Sequence, residues 1–189
     1  MSILGTILGR SKIKKGNREK FFSIITAEMD IEGRTDLRRT EKAGLVFNPV
    51  ESQFFENLDT EIRDLLAVSA DTTGARYEVM DDGHGTRWVI LDDRDFEDLV
   101  TTLHLVGETI TDHGFGDRII ASVFGFQYEG KKAYWIYYVK RGSFYPFVLS
   151  GEKTRDNAAE MRLSALMEEQ KVPIEKDLEK WYALWGIPF

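Results

Sequence analysis

Apolar positions along the chain recur with two different periods, and the changes between them mark out the expected elements. Residues 18–30 place Phe21, Phe22, Ile25 and Met29 on one helical face. Gly44–Asn48 reads as a short apolar strand halted by Asn48-Pro49. Ser52 is placed to cap a helix whose inner face is Phe55, Leu58, Ile62, Leu65 and Leu66. Arg76–Met80 and Thr86–Leu91 read as a hairpin turning through Asp82-Gly83-His84-Gly85.

The clearest helix follows Asp92-Asp93-Arg94-Asp95. Phe96, Leu99, Val100, Leu103, Val106 and Ile110 form its apolar stripe, and Gly114 and Gly116 end it. Arg118–Gln127 and Ala133–Lys140 are rich in aromatic and β-branched residues and turn at Glu129-Gly130. Tyr134 to Val139 is apolar on both sides of the pleat, as in a strand covered on both faces. Ser143–Leu149 continues the meander, with Pro146 confining it to an edge or a bulge. Thr154 or Asp156 caps a helix to about Gln170, and Pro173 opens a last helix carrying Ile174, Leu178, Trp181, Tyr182 and Trp185. Hairpins alternating with helices predict an α+β fold with a largely antiparallel sheet. The organisation expected is a short apolar and basic segment, residues 1–16, followed by one domain, residues 17–189.

In that first segment Ile3, Leu4, Ile7 and Leu8 share one face, and Arg10, Lys12, Lys14 and Lys15 follow. The apolar stretch is too short, and its charge wrongly placed, for a signal peptide. Apolar side chains beside a basic cluster suit an anionic membrane surface, which makes these eight residues the candidate membrane contacts. Packing of the same aliphatics on the chain's own core is the competing expectation.

Composition narrows the choices. No Cys is present, which removes disulfides, thiol nucleophiles and thiolate metal sites. The net charge of −7 is unevenly spread, because residues 51–117 hold 17 acidic against 4 basic side chains. Such a middle repels nucleic acid and attracts basic partners. Solvated helix faces and acidic helix starts are the plainer explanation of the same bias.

Candidate chemistry is sparse. His104 and His113 are nine residues apart on one helix, so they point about 180° from each other and cannot share a metal. His104 falls among Glu97, Thr101, Glu108 and Asp112, and a solvated position is expected for it. The run from Asp93 lacks the glycine and the final glutamate of a calcium loop. No phosphate-binding, dinucleotide, HExxH or GxSxG motif occurs. No catalytic residue, metal or cofactor is expected. Three surfaces are candidates for partner binding: Asp92, Asp93 and Asp95; the corner of Lys140, Arg141, Phe144, Tyr145 and Phe147; and the closing Trp181 and Trp185. For the corner, packing of its own aromatics on the sheet is the alternative.

The segments ILGTILGRSK, GLVFNPVESQFFENLDTEIRDLL, YEVMDDGHGTRWVILDD with the helix after it, YYVKRGSFYPF and KWYALWGIP, in this order, resemble the PspA-associated protein family PspAB. Residues 76–139 also resemble, in topology, the YbjN and type III secretion chaperone-like fold. The first resemblance implies association with PspA, a membrane-remodelling protein of the envelope stress response built of long charged helices. It implies no enzymatic activity and no catalytic residues. The function expected is therefore a non-enzymatic, cytoplasmic binding or regulatory module with a PspA-like partner, with an anionic membrane surface at the inner face as a further contact. Its competitors are a carboxylate-based hydrolase, with or without a divalent metal, and a peripheral membrane protein acting through residues 1–20.

Overall fold

A computed structural model describes residues 3–189, with side chains from Arg18 onward except that of Phe54. The expected membrane contacts Ile3, Leu4, Ile7, Leu8, Arg10, Lys12, Lys14 and Lys15 therefore lie outside the described side chains. In chain order the elements are α1 (Ile3–Arg34), β1 (Arg38–Phe47), α2 (Gln53–Thr73), β2 (Arg76–Asp81), β3 (Arg87–Asp92), α3 (Phe96–Asp112), β4 (Ile119–Tyr128), β5 (Lys131–Tyr138), β6 (Ser143–Gly151), β7 (Thr154–Arg155) and α4 (Asn157–Glu169). The seven strands form one sheet in the order β2-β3-β1-β4-β5-β6-β7, and neighbouring strands are antiparallel. The class is α+β.

Alternation along the strands divides the core between two faces. On one, Phe47 meets Phe55 of α2, Phe124 and Phe126 meet Phe96 of α3, and Phe21 of α1 touches Phe124, Tyr137 and Phe144. The four helices lie side by side here, with α1 between α3 and α4 and α2 flanking α3. On the other face lie Trp88, Tyr134, Tyr145 and Phe147, covered by the segment after α4. Trp181 stacks on Tyr145, Trp185 meets Phe147, and Phe189 packs edge-on against Trp88 and Tyr134. Tyr134 Oη donates a hydrogen bond to the Phe189 carbonyl oxygen at 2.8 Å. Gly44 makes the close approach possible, because a Cβ there would lie 2.9 Å from the Phe189 ring.

Two expectations need correction. The inward face of α1 is Phe21, Ile24, Ala27 and Ile31, while Phe22 and Ile25 are only half-buried and Met29 is 70% exposed. The last helix does not form. Pro173 gives its carbonyl to the Phe144 N–H at 2.7 Å, and the Glu175 N–H bonds the Phe144 carbonyl at 2.8 Å. Residues around Ile174 thus add a parallel bridge to β6, and only a 3₁₀ turn, Leu178–Lys180, follows. Backbone groups committed to a neighbouring strand cannot also close helical turns.

That bridge also accounts for Pro146. Of the alternate β6 residues facing away from β5, Phe144 donates to Pro173 and the Val148 N–H donates to the Glu160 carboxylate at 3.0 Å. Pro146, between them, has no N–H to place. Glu160 is buried and also accepts from Arg155 Nε at 2.9 Å, while Arg155 donates to the Trp181 carbonyl and lies over the Phe147 ring. This cluster ties α4, the strand edge and the closing segment together.

Candidate functional site

The expected partner-binding residues fall in three different settings. Asp95 caps α3 by accepting from the Glu97 and Asp98 amides, Asp93 accepts from the Asp95 amide, and Asp92 is paired with Arg76 at 3.0 Å and Lys42 at 3.6 Å. Asp93 and Asp95 are thus spent on the β3–α3 connection, and Asp92 on cations of the neighbouring strands β2 and β1. In the corner, Phe144, Tyr145 and Phe147 are buried, Lys140 is exposed, and Arg141 pairs with Glu175. That pair, with Ser143 Oγ donating as well, holds the Glu175 carboxyl down at about 2. The corner aromatics thus pack on the sheet. At the chain's close Trp181 is buried, whereas Trp185 is 41% exposed.

Part of the acidic bias of the middle lines a broad groove of about 1060 Å³ between the start of α2 and the β2–β3 hairpin. Glu51, Glu56, Asp59 and Asp81 line it against one cation, Arg87. Ser52 sets the first turn of α2 by accepting from the Phe55 amide, which fixes Glu56 and Asp59 on the groove side. From the hairpin, Asp82 accepts from the His84 and Thr86 amides and holds the turn in shape. Arg87 bridges the two walls, reaching Asp81 at 2.7 Å and Asp59 at 3.0 Å. Its hydrogen bond keeps the Asp81 carboxyl below the usual range. Glu51 and Glu56 are exposed and make no ion pair among the described residues. Charge bias was legible in the sequence, but the groove brings together side chains some thirty positions apart, and no local pattern reports that.

A second, smaller concavity lies under α1. About 150 Å³ of half-open space is lined by Phe21 of α1, Leu103 of α3, Leu45 and Ile119 of the sheet, and Val139 just after β5. The polar residues His104, Thr111, Ser122 and Tyr137, the charged Arg18, Glu108 and Asp112, and Gly107 complete its lining. His104 was expected in solvent. Its side chain is only 14% exposed, because Phe21 and Phe22 pack over it from α1, a contact that α3's own periodicity cannot show. Burial lowers its pKa and raises that of Tyr137 to about 12. His113 points away toward α2, with Nε2 3.1 Å from Glu61.

Among the described residues no group of three or more His, Cys, Asp or Glu side chains is arranged to hold a metal ion. No helix of the described residues is long and apolar enough to cross a membrane.

The family described as PspAB, PspA associated protein B, matches residues 1–189. The chain belongs to that family. No curated protein and no solved structure matches it. The PspAB description itself links the chain to PspA and names no reaction.

Proposed function

We propose that the protein is a non-enzymatic, cytoplasmic binding module of a PspA-linked envelope stress response, and that the groove between α2 and the β2–β3 hairpin receives a basic helical segment of the PspA-like partner. Glu51 and Glu56, the two groove carboxylates without an ion pair among the described residues, carry this reading, since Asp59 and Asp81 are paired with Arg63 and Arg87. Charge complementarity of that kind steers encounter and sets orientation. The volume suits a helix laid along the surface better than a small metabolite, since ligand pockets seldom exceed about 1,000 Å³ and enclose what they bind. Among the residues expected to meet a partner, exposed Lys140 and Trp185 lie apart from the groove and offer secondary contacts.

The double charge reversal Glu51→Lys with Glu56→Lys tests it. Neither side chain pairs with Arg87, and because Glu56 lies in the first turn of α2 and accepts from Gln53 Nε2 at 3.0 Å, circular dichroism checks that the variant keeps its fold. Titration calorimetry against the PspA-like protein should show affinity falling about tenfold or more, with a weaker dependence on salt. Unchanged affinity and salt dependence would overturn the groove assignment. Absence of any complex with the wild-type chain would overturn the functional reading as a whole.

A further inference from the structure

The concavity under α1 plays no part in the groove just described. The polar side chains of His104, Ser122 and Tyr137 line it, and one of them has a buried atom without a partner. His104 Nε2 is buried without a hydrogen bond, its approach to a Glu108 oxygen at 3.5 Å lacking the required geometry. Ser122 and Tyr137, residues 3% and 5% exposed, line the same space with their side chains. Buried polar groups in native proteins are nearly always satisfied, so a buried unpaired nitrogen on a residue that lines a concavity calls for something to satisfy it. A second observation concerns α3. Gly107 sits in the interior of a strongly amphipathic helix, where glycine is unfavourable. A Cβ there would reach Leu45 Cδ1 at 3.5 Å and Ile119 Cδ1 at 4.0 Å, two side chains of the same concavity. The missing side chain is part of what keeps that space open.

We infer that this concavity is a binding site for a small neutral ring bearing a hydroxyl, of the size and chemistry of a simple phenol. The volume sets the size, because about 150 Å³ holds a molecule like benzene. The walls set the shape. Phe21 and Tyr137 meet edge to face with centroids 4.9 Å apart, and Leu45, Leu103, Ile119 and Val139 supply apolar contact. Charge is disfavoured because apolar walls penalise any ion. The hydroxyl follows from the partners. A neutral imidazole offers Nε2 as donor or acceptor according to tautomer, and the Ser122 and Tyr137 hydroxyls do either. A ligand hydroxyl, donor and acceptor at once, meets every combination.

The probes are p-cresol and toluene, which differ by that one group, added to the full chain and followed by saturation-transfer NMR and calorimetry. The wild-type protein should bind p-cresol about three- to tenfold more tightly than toluene, the difference expected of one or two net hydrogen bonds. Combining Tyr137→Phe with Ser122→Ala should erase the preference while toluene still binds. Gly107→Leu, which sends a side chain into the space on a helix that favours leucine, should abolish binding of both. No binding of p-cresol to the wild-type chain, equal binding of the two probes, or undiminished binding to a folded Gly107→Leu protein overturns the site. Should Gly107→Leu fail to fold by circular dichroism, the paired hydroxyl variant decides alone. None of these results depends on the PspA-like partner, so the two assignments stand or fall separately.

Discussion

Glu28 shows how much one side chain can impose on a protein of this size. It lies on the covered side of α1 with its side chain 2% exposed, and its pKa is raised from 4.5 to about 7. Burial is the main cause and the hydrogen bond with Glu32 adds to it, while Arg39 at 3.4 Å pulls the other way. Between about 4.5 and 7 the folded chain keeps a proton that the unfolded chain has released. The stability present below that window is therefore lost as pH rises through it, by about 3 kcal/mol at 1.36 kcal/mol per unit. Glu28→Gln should flatten the fall in Tm between pH 5 and pH 8. Equal slopes for the two proteins would show that Glu28 is not the group responsible. Glu175, held down at about 2, acts in the opposite sense, and its contribution is lost only as pH falls below the ordinary carboxylate range.

At the scale of elements, local signals served well wherever an element's own residues determine its fate. Ser52 is an instance. It has extended backbone, and its hydroxyl accepts from the Phe55 amide at 3.2 Å, as the run of apolar positions after it implied. Ser52→Ala should cost about 0.5–2 kcal/mol in urea denaturation. A smaller effect would mean that the Phe55 amide finds another acceptor. Strands β2 to β6 and α3 were legible for the same reason, since alternation and a single sharp stripe leave one solution. Strand β1 was read only from Gly44, because its polar first half, from Arg38, is mostly exposed, and the two-residue β7 gave no pattern. Two further features were not legible. Trp181, Tyr182 and Trp185 have helical spacing, yet backbone bonds from Pro173 and Glu175 to Phe144 commit the preceding chain to the sheet, and those partners are some thirty residues away. On α1 apolar residues occupy most of the circumference. Which of them turn inward was decided by the ring of Phe21 meeting three strands, not by the sequence around it.

For the molecule as a whole, the sheet is a middle layer with helices on one side and the closing segment on the other. That segment is held at its tip by Phe189 lodged over Gly44 between Trp88 and Tyr134. Gly44→Ala puts a Cβ 2.9 Å from the Phe189 ring and 3.3 Å from the Val89 carbonyl oxygen, of which only the ring can move away. Hydrogen–deuterium exchange should then rise across residues 182–189 while α2 and α3 keep their protection, with a global loss of about 1–3 kcal/mol. Uniform exchange across both layers would show that they do not separate. The strand order has its own corollary. Strand β1 is hydrogen-bonded to β3 and β4, and both are encoded after it. During synthesis on the ribosome it emerges with no strand to join, acquires its first neighbour only with residue 92, and stays open along its other side until residue 128 has been made. Its buried stretch from Ala43 to Phe47 is for that interval the nascent protein's most exposed liability, the stretch on which a chaperone or a wrong pairing would first act.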